Sequence, residues 1–225
     1  MECLQANDVV YTYRNKYQTV RALDGVSAVF EPGQLYAIIG ASGSGKTTLL
    51  SLLAGLDVPT SGSIQLDGES TARMNRDAYR LNHVSVIYQN FNLFYHLTVL
   101  ENAAYPMYIR GMGKKAADGL ARQNLLAVGL REEQFRRLPN MLSGGEQQRV
   151  AIARALTMGS DIILADEPTG NLDSENSRNI VEILHRLAHE ENRCVIIVTH
   201  DPAVAEAADR VLKMRDGRII PAETM

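Results

Sequence analysis

The stretch GASGSGKT, at residues 40–47, most restricts what this chain can fold into. It satisfies the phosphate-loop pattern G-x-x-x-x-G-K-[ST] in full. The branched apolar run LYAIIG precedes it and the apolar-rich segment TTLLSLLAGL follows it, so the loop joins a predicted strand to a predicted helix. This order predicts an α/β fold that binds phosphate groups at a helix N-terminus.

The residue types in this loop match the chemistry of phosphate binding. Gly43 and Gly45 let backbone N–H groups curl around phosphate oxygens without a Cβ clash. Lys46 can reach the β- and γ-phosphates, and the Thr47 hydroxyl can ligate Mg²⁺. The predicted nucleotide-binding residues of the loop are Gly40, Ala41, Ser42, Gly43, Ser44, Gly45, Lys46, Thr47 and Thr48.

Two further apolar runs have the length and branched composition of strands buried on both faces of a parallel sheet. They are IILADE at 162–167 and VIIVTH at 195–200. Ligands of open α/β sheets bind beyond the carboxyl ends of the strands, so the residues ending these runs should meet the phosphate loop. Asp166 is the expected second anchor for Mg²⁺, and Glu167 could polarise an attacking water. We expect a functional role for His200 at the same edge.

The polar stretch LSGGEQQR, at 142–149, predicts a second phosphate-binding surface. Ser143 and Glu146 fit a capping box at the start of a helix. Capping does not explain Gly144 and Gly145, which weaken a helix start but permit close approach. A hydroxyl, bare glycine amides and a helix dipole together suit a phosphate. Because the chain shows no second nucleotide site, we expect this surface to bind the nucleotide of another copy in a two-fold dimer.

Composition limits the remaining function classes. The 225 residues suit one α/β domain, and the formal net charge of −3 gives no basic excess, so we expect no nucleic-acid partner. Two cysteines imply no disulfide framework. No apolar run approaches the roughly 18 residues that span a bilayer, so we expect a cytoplasmic protein that reaches a membrane only through a partner.

With these motifs the chain resembles the ATP-binding subunit of an ABC transporter over nearly its whole length. GASGSGKT looks like the Walker A motif, LSGGEQQR like the family signature, and IILADE like the Walker B motif with its catalytic Glu167. The resemblance implies that ATP and Mg²⁺ are the ligands. It also implies that Ser143, Gly144 and Gly145 contact the ATP of the other subunit.

The resemblance assigns four further features. GNLD at 170–173 resembles the D-loop, Gln89 the Q-loop glutamine that also ligates Mg²⁺, and His200 the switch histidine. Tyr13 matches the aromatic residue that stacks on adenine, with Tyr11 and Tyr17 as open alternatives.

The implied fold is a single ABC ATPase domain over residues 1–225. It has a P-loop NTPase core with a mainly parallel sheet, an N-terminal antiparallel β-subdomain and an inserted α-helical subdomain. The core takes in about 1–89 and 158–225, and the helical subdomain, which carries the signature, takes in about 90–157. Gln89 and Leu142 are 53 positions apart, which leaves room for a compact helical subdomain but not for long coiled coils.

The stretches YQNFNLFYHLTVLENAAYP and DEPTGNLDS resemble the MacB, LolD and FtsE group of ABC proteins. The resemblance implies a homodimer that drives a MacB- or FtsX-like integral membrane permease from the inner face of the cell membrane. Peptide or drug export, or lipoprotein release, is the main expectation. An FtsE-like regulatory ATPase that signals without transport is the alternative.

The segment Phe91–Leu97 holds two of the four phenylalanines in the chain. Because it begins two residues after Gln89, we expect the permease to dock there. The alternative is that these rings pack inside the helical subdomain.

Local patterns predict several element boundaries. Thr98 and Glu101 suggest a capping box, and Pro106 suggests a helix break. Asp173 or Ser174 could cap a helix, and Asp216–Gly217 predicts a hairpin turn. The buried face of the capped helix is predicted to carry Ile180, Ile183, Leu184 and Leu187.

Overall fold

The computed structural model of the chain describes residues 3–220. The strands are β1 (Leu4–Arg14), β2 (Thr19–Phe30), β3 (Leu35–Ile39), β4 (Ser61–Leu66), β5 (Glu69–Ser70), β6 (Val84–Ile87), β7 (Ile162–Asp166), β8 (Cys194–Thr199), β9 (Arg210–Arg215) and β10 (Arg218–Ile220). The α-helices are α1 (Lys46–Leu53), α2 (Arg76–Asn82), α3 (Val99–Ile109), α4 (Lys114–Ala127), α5 (Gly144–Met158), α6 (Ser174–His189) and α7 (Pro202–Glu206). Short 3₁₀ turns cover Glu132–Gln134 and Pro139–Met141.

A six-stranded sheet forms the centre, in the order β10-β9-β3-β8-β7-β6. All its pairs are parallel except β10 with β9. The three apolar runs of the sequence are β3, β8 and β7, which are neighbours in this order. Their carboxyl ends therefore share one edge, as predicted, and bring the phosphate loop close to Asp166 and His200.

Both faces of this sheet are covered, which explains why the runs are apolar without alternation. Along β8, Val195 and Ile197 face a core shared with α3–α6, whereas Ile196 and Val198 face a core shared with α1. The second core also receives the predicted antiparallel sheet, of order β2-β1-β4-β5, through residues such as Phe30.

The helices α3, α4 and α5 lie within the range predicted for the helical subdomain. The capping box at α3 is confirmed, because Glu101 N donates to Thr98 Oγ1 and Thr98 N donates to Glu101 Oε2. The predicted break at Pro106 is wrong, since α3 continues to Ile109. Packing explains this continuation, because Pro106 and its neighbour Met107 are buried. Within residues 3–220, no helix is both long and apolar enough to cross a membrane.

The remaining boundaries follow the sequence. Asp173 is the N-cap of α6, and its carboxylate accepts from the backbone N–H groups of Glu175 and Asn176. The hairpin turn at Asp216 and Gly217 joins β9 to β10. The predicted apolar stripe of α6 is buried at all four positions, Ile180, Ile183, Leu184 and Leu187.

Candidate active site

The phosphate loop runs from the end of β3 into α1. Gly43 and Gly45 have φ values of 79° and 101°, in the left-handed region that favours glycine. Gly45 is the N-cap of α1 and no side chain caps this helix, so the first-turn N–H groups remain available for an anion. A Cβ on Gly43 would have no neighbour within 4 Å, so the outer side of the loop is open to a ligand.

Lys46 is held against the same loop. Its ammonium donates to the carbonyl oxygens of Gly40, at 2.8 Å, and Ala41, at 3.1 Å. The side chain is only 8% exposed, although a lysine is rarely buried without a partner of opposite charge. The Ser44 hydroxyl is buried and has no hydrogen-bond partner. A cationic group and an orphaned donor in one glycine-rich loop fit a phosphate ligand.

The predicted metal ligands Thr47 and Asp166 meet beside the loop. Thr47 Oγ1 donates to Asp166 Oδ1 at 3.3 Å, across 119 residues of sequence. Burial raises the pKa of Asp166, and the charge of Glu167 raises it further, against opposing effects of Thr47 and Lys46. A carboxylate destabilised in this way gains from a divalent cation. The hydroxyl and carboxylate oxygens therefore fit Mg²⁺, a metal that prefers oxygen ligands.

Glu167 is fixed by its backbone and by its carboxylate. Its φ of 48° is unusual for a residue other than glycine, and its N–H donates to Val198 O at 2.8 Å. The Thr199 hydroxyl donates to Glu167 Oε2 at 3.1 Å, while His200 Nδ1 lies 2.8 Å from Oε1. Strain of this kind is retained at functional sites when the surroundings enforce it. The carboxylate thus has a defined position at the edge of the sheet.

A cleft of about 950 Å³ lies over the loop and gathers residues from distant parts of the sequence. Tyr13 lines it, with its hydroxyl 3.3 Å from Thr48 Oγ1. Tyr11 donates to Asp57 instead, which raises its pKa to about 12, and Tyr17 is 89% exposed. The other predicted site residues that line the cleft are Gly40, Ala41, Ser42, Gly43, Gly45, Lys46, Thr47, Thr48, Gln89, Glu167 and His200.

The signature residues Ser143, Gly144 and Gly145 are absent from the lining of this cleft in the described part of the chain. They begin α5, where Glu146 N donates to Ser143 Oγ at 3.3 Å and Glu146 Oε2 accepts from Ser143 N at 2.8 Å. This arrangement confirms the capping box. The Ser143 oxygen is the acceptor in the cap, which leaves the hydroxyl hydrogen for a further acceptor.

The two signature glycines differ in their surroundings. A methyl group on Gly145 would lie 2.6 Å from the side chain of Asn176, so the fold of this chain itself requires a glycine there. A methyl group on Gly144 would meet its nearest neighbour, Leu172, at an ordinary 3.6 Å. Nothing within the described chain explains Gly144, which is the glycine that favours approach by another molecule.

Sequence reasoning missed several residues at the site. Arg21, Asp216 and Gly217 line the cleft, although the turn at Asp216 and Gly217 was predicted only as a hairpin. Thr199, which holds Glu167, ends the apolar run before His200, and its place at the sheet edge was the available signal. The contact of Arg154 with the carbonyl of Phe91, two residues after Gln89, has no local sequence signal.

Comparison with known proteins decides the family. The family model described as ABC transporter matches residues 23–170, about two thirds of the chain. The chain belongs to this family. It is an ABC-type ATPase, with ATP as the nucleotide and Mg²⁺ as the ion that the family requires.

Relatives and solved structures agree with this family. The chain is 44% identical to the macrolide export ATP-binding/permease protein MacB of Neisseria gonorrhoeae, covering 98% of this chain but 34% of that protein. It is 42% identical to the lipoprotein-releasing system ATP-binding protein LolD of Chromohalobacter salexigens, covering 96% and 92%. The dimeric ABC transporter cassette MJ0796 superposes with a TM-score of 0.90, at 36% identity, over 98% and 97% of the two chains. The fold class predicted from the sequence is confirmed.

Proposed function

We propose that the chain is the ATP-hydrolysing motor of a membrane complex of the export or mechanotransmission type, and that it works as a homodimer. One observation carries the dimer: a chain with a complete phosphate loop leaves its own signature outside its own cleft. The dimeric cassette MJ0796 and the names of the MacB and LolD relatives support the proposal. They favour peptide or drug export, or lipoprotein release.

In this proposal the cleft of each subunit binds and positions one ATP. The loop from Gly40 to Thr48 holds the phosphates, and Tyr13 stacks on adenine. Thr47, Gln89 and Asp166 would hold Mg²⁺, which would supply positive charge to the phosphates. The residues of the chain contribute mainly position and charge, since phosphoryl transfer needs little covalent chemistry from a protein.

Glu167 acts on the attacking water in the proposed reaction. Its carboxylate is oriented by the Thr199 hydroxyl and by the backbone N–H of His200, at 3.1 and 3.4 Å. His200 Nδ1 lies 2.8 Å from the other carboxylate oxygen, and the imidazole lines the cleft and is 71% exposed. Glu167 therefore accepts the proton of the water, and His200 keeps the carboxylate in position.

The opposite side of each ATP is contacted by the other subunit. Ser143 offers its free hydroxyl hydrogen, and Gly144 lets the N-terminus of α5 approach the γ-phosphate closely. The partial positive charge of that helix end stabilises the phosphate. Gly145 adds its amide, although its lack of a side chain already has an internal reason in Asn176.

A mixed dimer tests action between subunits. Ser143→Arg blocks the signature surface and leaves the phosphate loop intact, whereas Lys46→Ala disables the loop and leaves the signature intact. Each variant alone should bring hydrolysis close to zero. A mixture should recover up to about half of the wild-type rate in the mixed dimers, because one of their two sites is complete. No recovery in dimers confirmed by mass photometry would contradict the proposal.

The membrane partner is proposed to dock near Phe91–Leu97. Phe94 and Tyr95 are 45% and 52% exposed, and the Phe94 ring packs on Tyr105 at a centroid distance of 4.6 Å. Phe91 is partly buried against the helical core, whereas Phe94 is about half exposed, which favours Phe94 as the docking residue of the two. The exposed rings of Phe94 and Tyr95 could receive a short amphipathic helix of a permease. The chain then lies at the cytoplasmic face of the membrane.

Site-specific crosslinking tests this docking site. A photoreactive phenylalanine analogue at position 94 should capture an integral membrane protein from the cells that make this chain. The same analogue at Val29, which is 51% exposed on the antiparallel sheet, is the matched control. Equal capture from both positions would contradict docking at Phe94. A captured protein that forms a transport pathway supports export, and one without such a pathway supports the regulatory alternative.

A further inference from the structure

The backbone after Gln89 has a strained shape. Phe91 and Asn92 are consecutive residues with φ values of 60° and 46°, and neither is a glycine. A left-handed conformation is unfavourable for a residue with a side chain, more so for Phe91 than for Asn92, and it persists only when its surroundings enforce it. The turn is tight, since Asn92 N donates to Asn90 O at 2.6 Å. Other contacts must therefore hold this segment in place.

Arg154 supplies such contacts from the signature helix. Its Nη1 donates to Asn92 O at 2.6 Å and its Nη2 donates to Phe91 O at 2.9 Å. The flat guanidinium thus holds the two carbonyls of the two strained residues with one fork. Burial lowers the pKa of Arg154 from its usual value, which agrees with a cation whose partners are carbonyls rather than a carboxylate.

The same segment is also attached to the region after β7. Asn171 Nδ2 donates to Gln89 O at 3.0 Å. A methyl group on Gly170 would lie 2.8 Å from Gln89 Nε2, so the glutamine side chain packs directly on this backbone. The segment from Gln89 to Asn92 is therefore fixed at one end near the cleft and at the other end by α5.

We propose that Arg154 is a positioning residue, which holds Gln89 in its working place and makes it follow the movement of α5. Ser143 and Arg154 are eleven residues apart on one helix, which is about three turns and about 17 Å. A displacement of the helix start by the nucleotide of a second copy therefore moves the guanidinium and the two carbonyls with it. The inference rests on the proposed homodimer and on the proposed role of Gln89 in the cleft, but not on any membrane partner.

Arg110 provides a control with the same hydrogen-bonding pattern at a more exposed position. Its Nη1 donates to Met158 O, at the far end of α5, and its Nη2 donates to Leu81 O in α2. Replacing either arginine with methionine removes a two-carbonyl fork and keeps most of the side-chain volume. A purely structural role for Arg154 predicts that Arg154→Met loses stability while kcat per folded chain stays near the wild-type value.

The first measurement is steady-state ATP hydrolysis by the purified full chain. Arg154→Met should lower kcat at least about fivefold and change KM for ATP by less than about twofold, because the phosphate loop is intact. Arg110→Met should keep kcat within about twofold of the wild type. Arg154→Lys, which keeps the charge but loses the fork, should fall between wild type and Arg154→Met and serves if the methionine variant does not fold. Equal kcat values for the Arg154 variants and the wild type would overturn the proposal.

The second measurement is a double-mutant cycle with Gln89→Ala. If Arg154 acts through Gln89, adding Arg154→Met to Gln89→Ala should lower kcat by less than about twofold further. Adding Arg110→Met should give the product of the separate effects. Multiplicative effects of Arg154→Met and Gln89→Ala, or no effect of Gln89→Ala alone, would overturn the proposal. Loss of the membrane partner alters none of these values, so a failure of the proposed transport role is recognised separately.

Discussion

Replacing each signature glycine with alanine separates the contribution of that glycine to folding of the chain from its contribution to dimerisation. Gly144→Ala places a methyl group at ordinary contact distance, 3.6 Å from Leu172, and removes backbone freedom from the unfolded state. This change should leave the free energy of unfolding unchanged or raise it by about 0.5 kcal/mol. Gly145→Ala places a methyl group 2.6 Å from Asn176, which must move.

The cost at Gly145 follows from the contacts of Asn176. Its side-chain amide donates at 2.8 Å to Oδ2 of Asp173, the N-cap residue of α6. Moving the side chain loses a hydrogen bond worth about 1 kcal/mol and adds overpacking of about 1–3 kcal/mol. After the gain of about 0.4–1 kcal/mol in backbone entropy, we expect Gly145→Ala to lower the free energy of unfolding by about 1–3.5 kcal/mol.

Urea unfolding of the nucleotide-free monomer measures both values. Sedimentation with ATP, in the Glu167→Gln background, then measures dimerisation. Gly144→Ala should fold at least as well as wild type and bind ATP within about twofold, yet dimerise at least about tenfold more weakly. Gly119→Ala, in α4 with no neighbour within 4 Å of the new methyl group, is the control and should only gain stability. Wild-type dimerisation and hydrolysis by Gly144→Ala would refute the argument from close approach.

Three further predictions follow from the site and its surroundings. Glu167→Gln should bind ATP normally, hydrolyse it at least about 10²-fold more slowly and accumulate as a dimer on a sizing column; near-normal turnover would remove Glu167 from its role. Phe94→Ala should lower the free energy of unfolding by less than about 1 kcal/mol because the ring is half exposed, whereas Phe135→Ala, at 2% exposure, should cost about 3–5 kcal/mol; similar losses would place Phe94 in the core. Asp166 has a pKa raised by burial, so the folded state holds its proton more tightly than the unfolded state and the carboxylate destabilises the fold above that raised pKa. Without Mg²⁺, the free energy of unfolding of Asp166→Asn minus that of wild type should therefore increase as pH rises from below 3.8 through the raised pKa. Urea unfolding at several pH values measures this difference, and a difference that does not change with pH would contradict the prediction.

The sequence predicted those parts of the fold that depend on residues close together in the chain. The three strands of the apolar runs, the caps at Thr98 and Ser143, and the hairpin at Asp216 and Gly217 are local patterns, and each is found as expected. The break at Pro106 failed because packing of α3 outweighs the local preference of proline. The buried Asn102, which bonds the carbonyls of Phe94, Leu97 and Thr98, reinforces the start of that helix.

The residues of the site were predictable where a single sequence motif supplies a single role. They were harder to predict where segments distant in the chain come together. Tyr13 could not be separated from Tyr11 and Tyr17 by sequence, because the three differ only in where β1 and its turn direct them. The fork of Arg154 joins residues 62 and 63 positions away through backbone carbonyls, which every residue possesses and no pattern records. Its assigned role, like the other site roles, stays a prediction until measured.

The signature of each chain lies outside its own cleft, and this limits ATP hydrolysis by chains that are not paired. If a second copy completes the site, the hydrolysis rate per chain depends on how often two chains meet, so dilute free chains consume little ATP. A membrane partner that holds two copies side by side raises their local concentration to roughly millimolar values without any new catalytic contact. ATP hydrolysis would then be confined largely to chains that are already bound to their membrane partner.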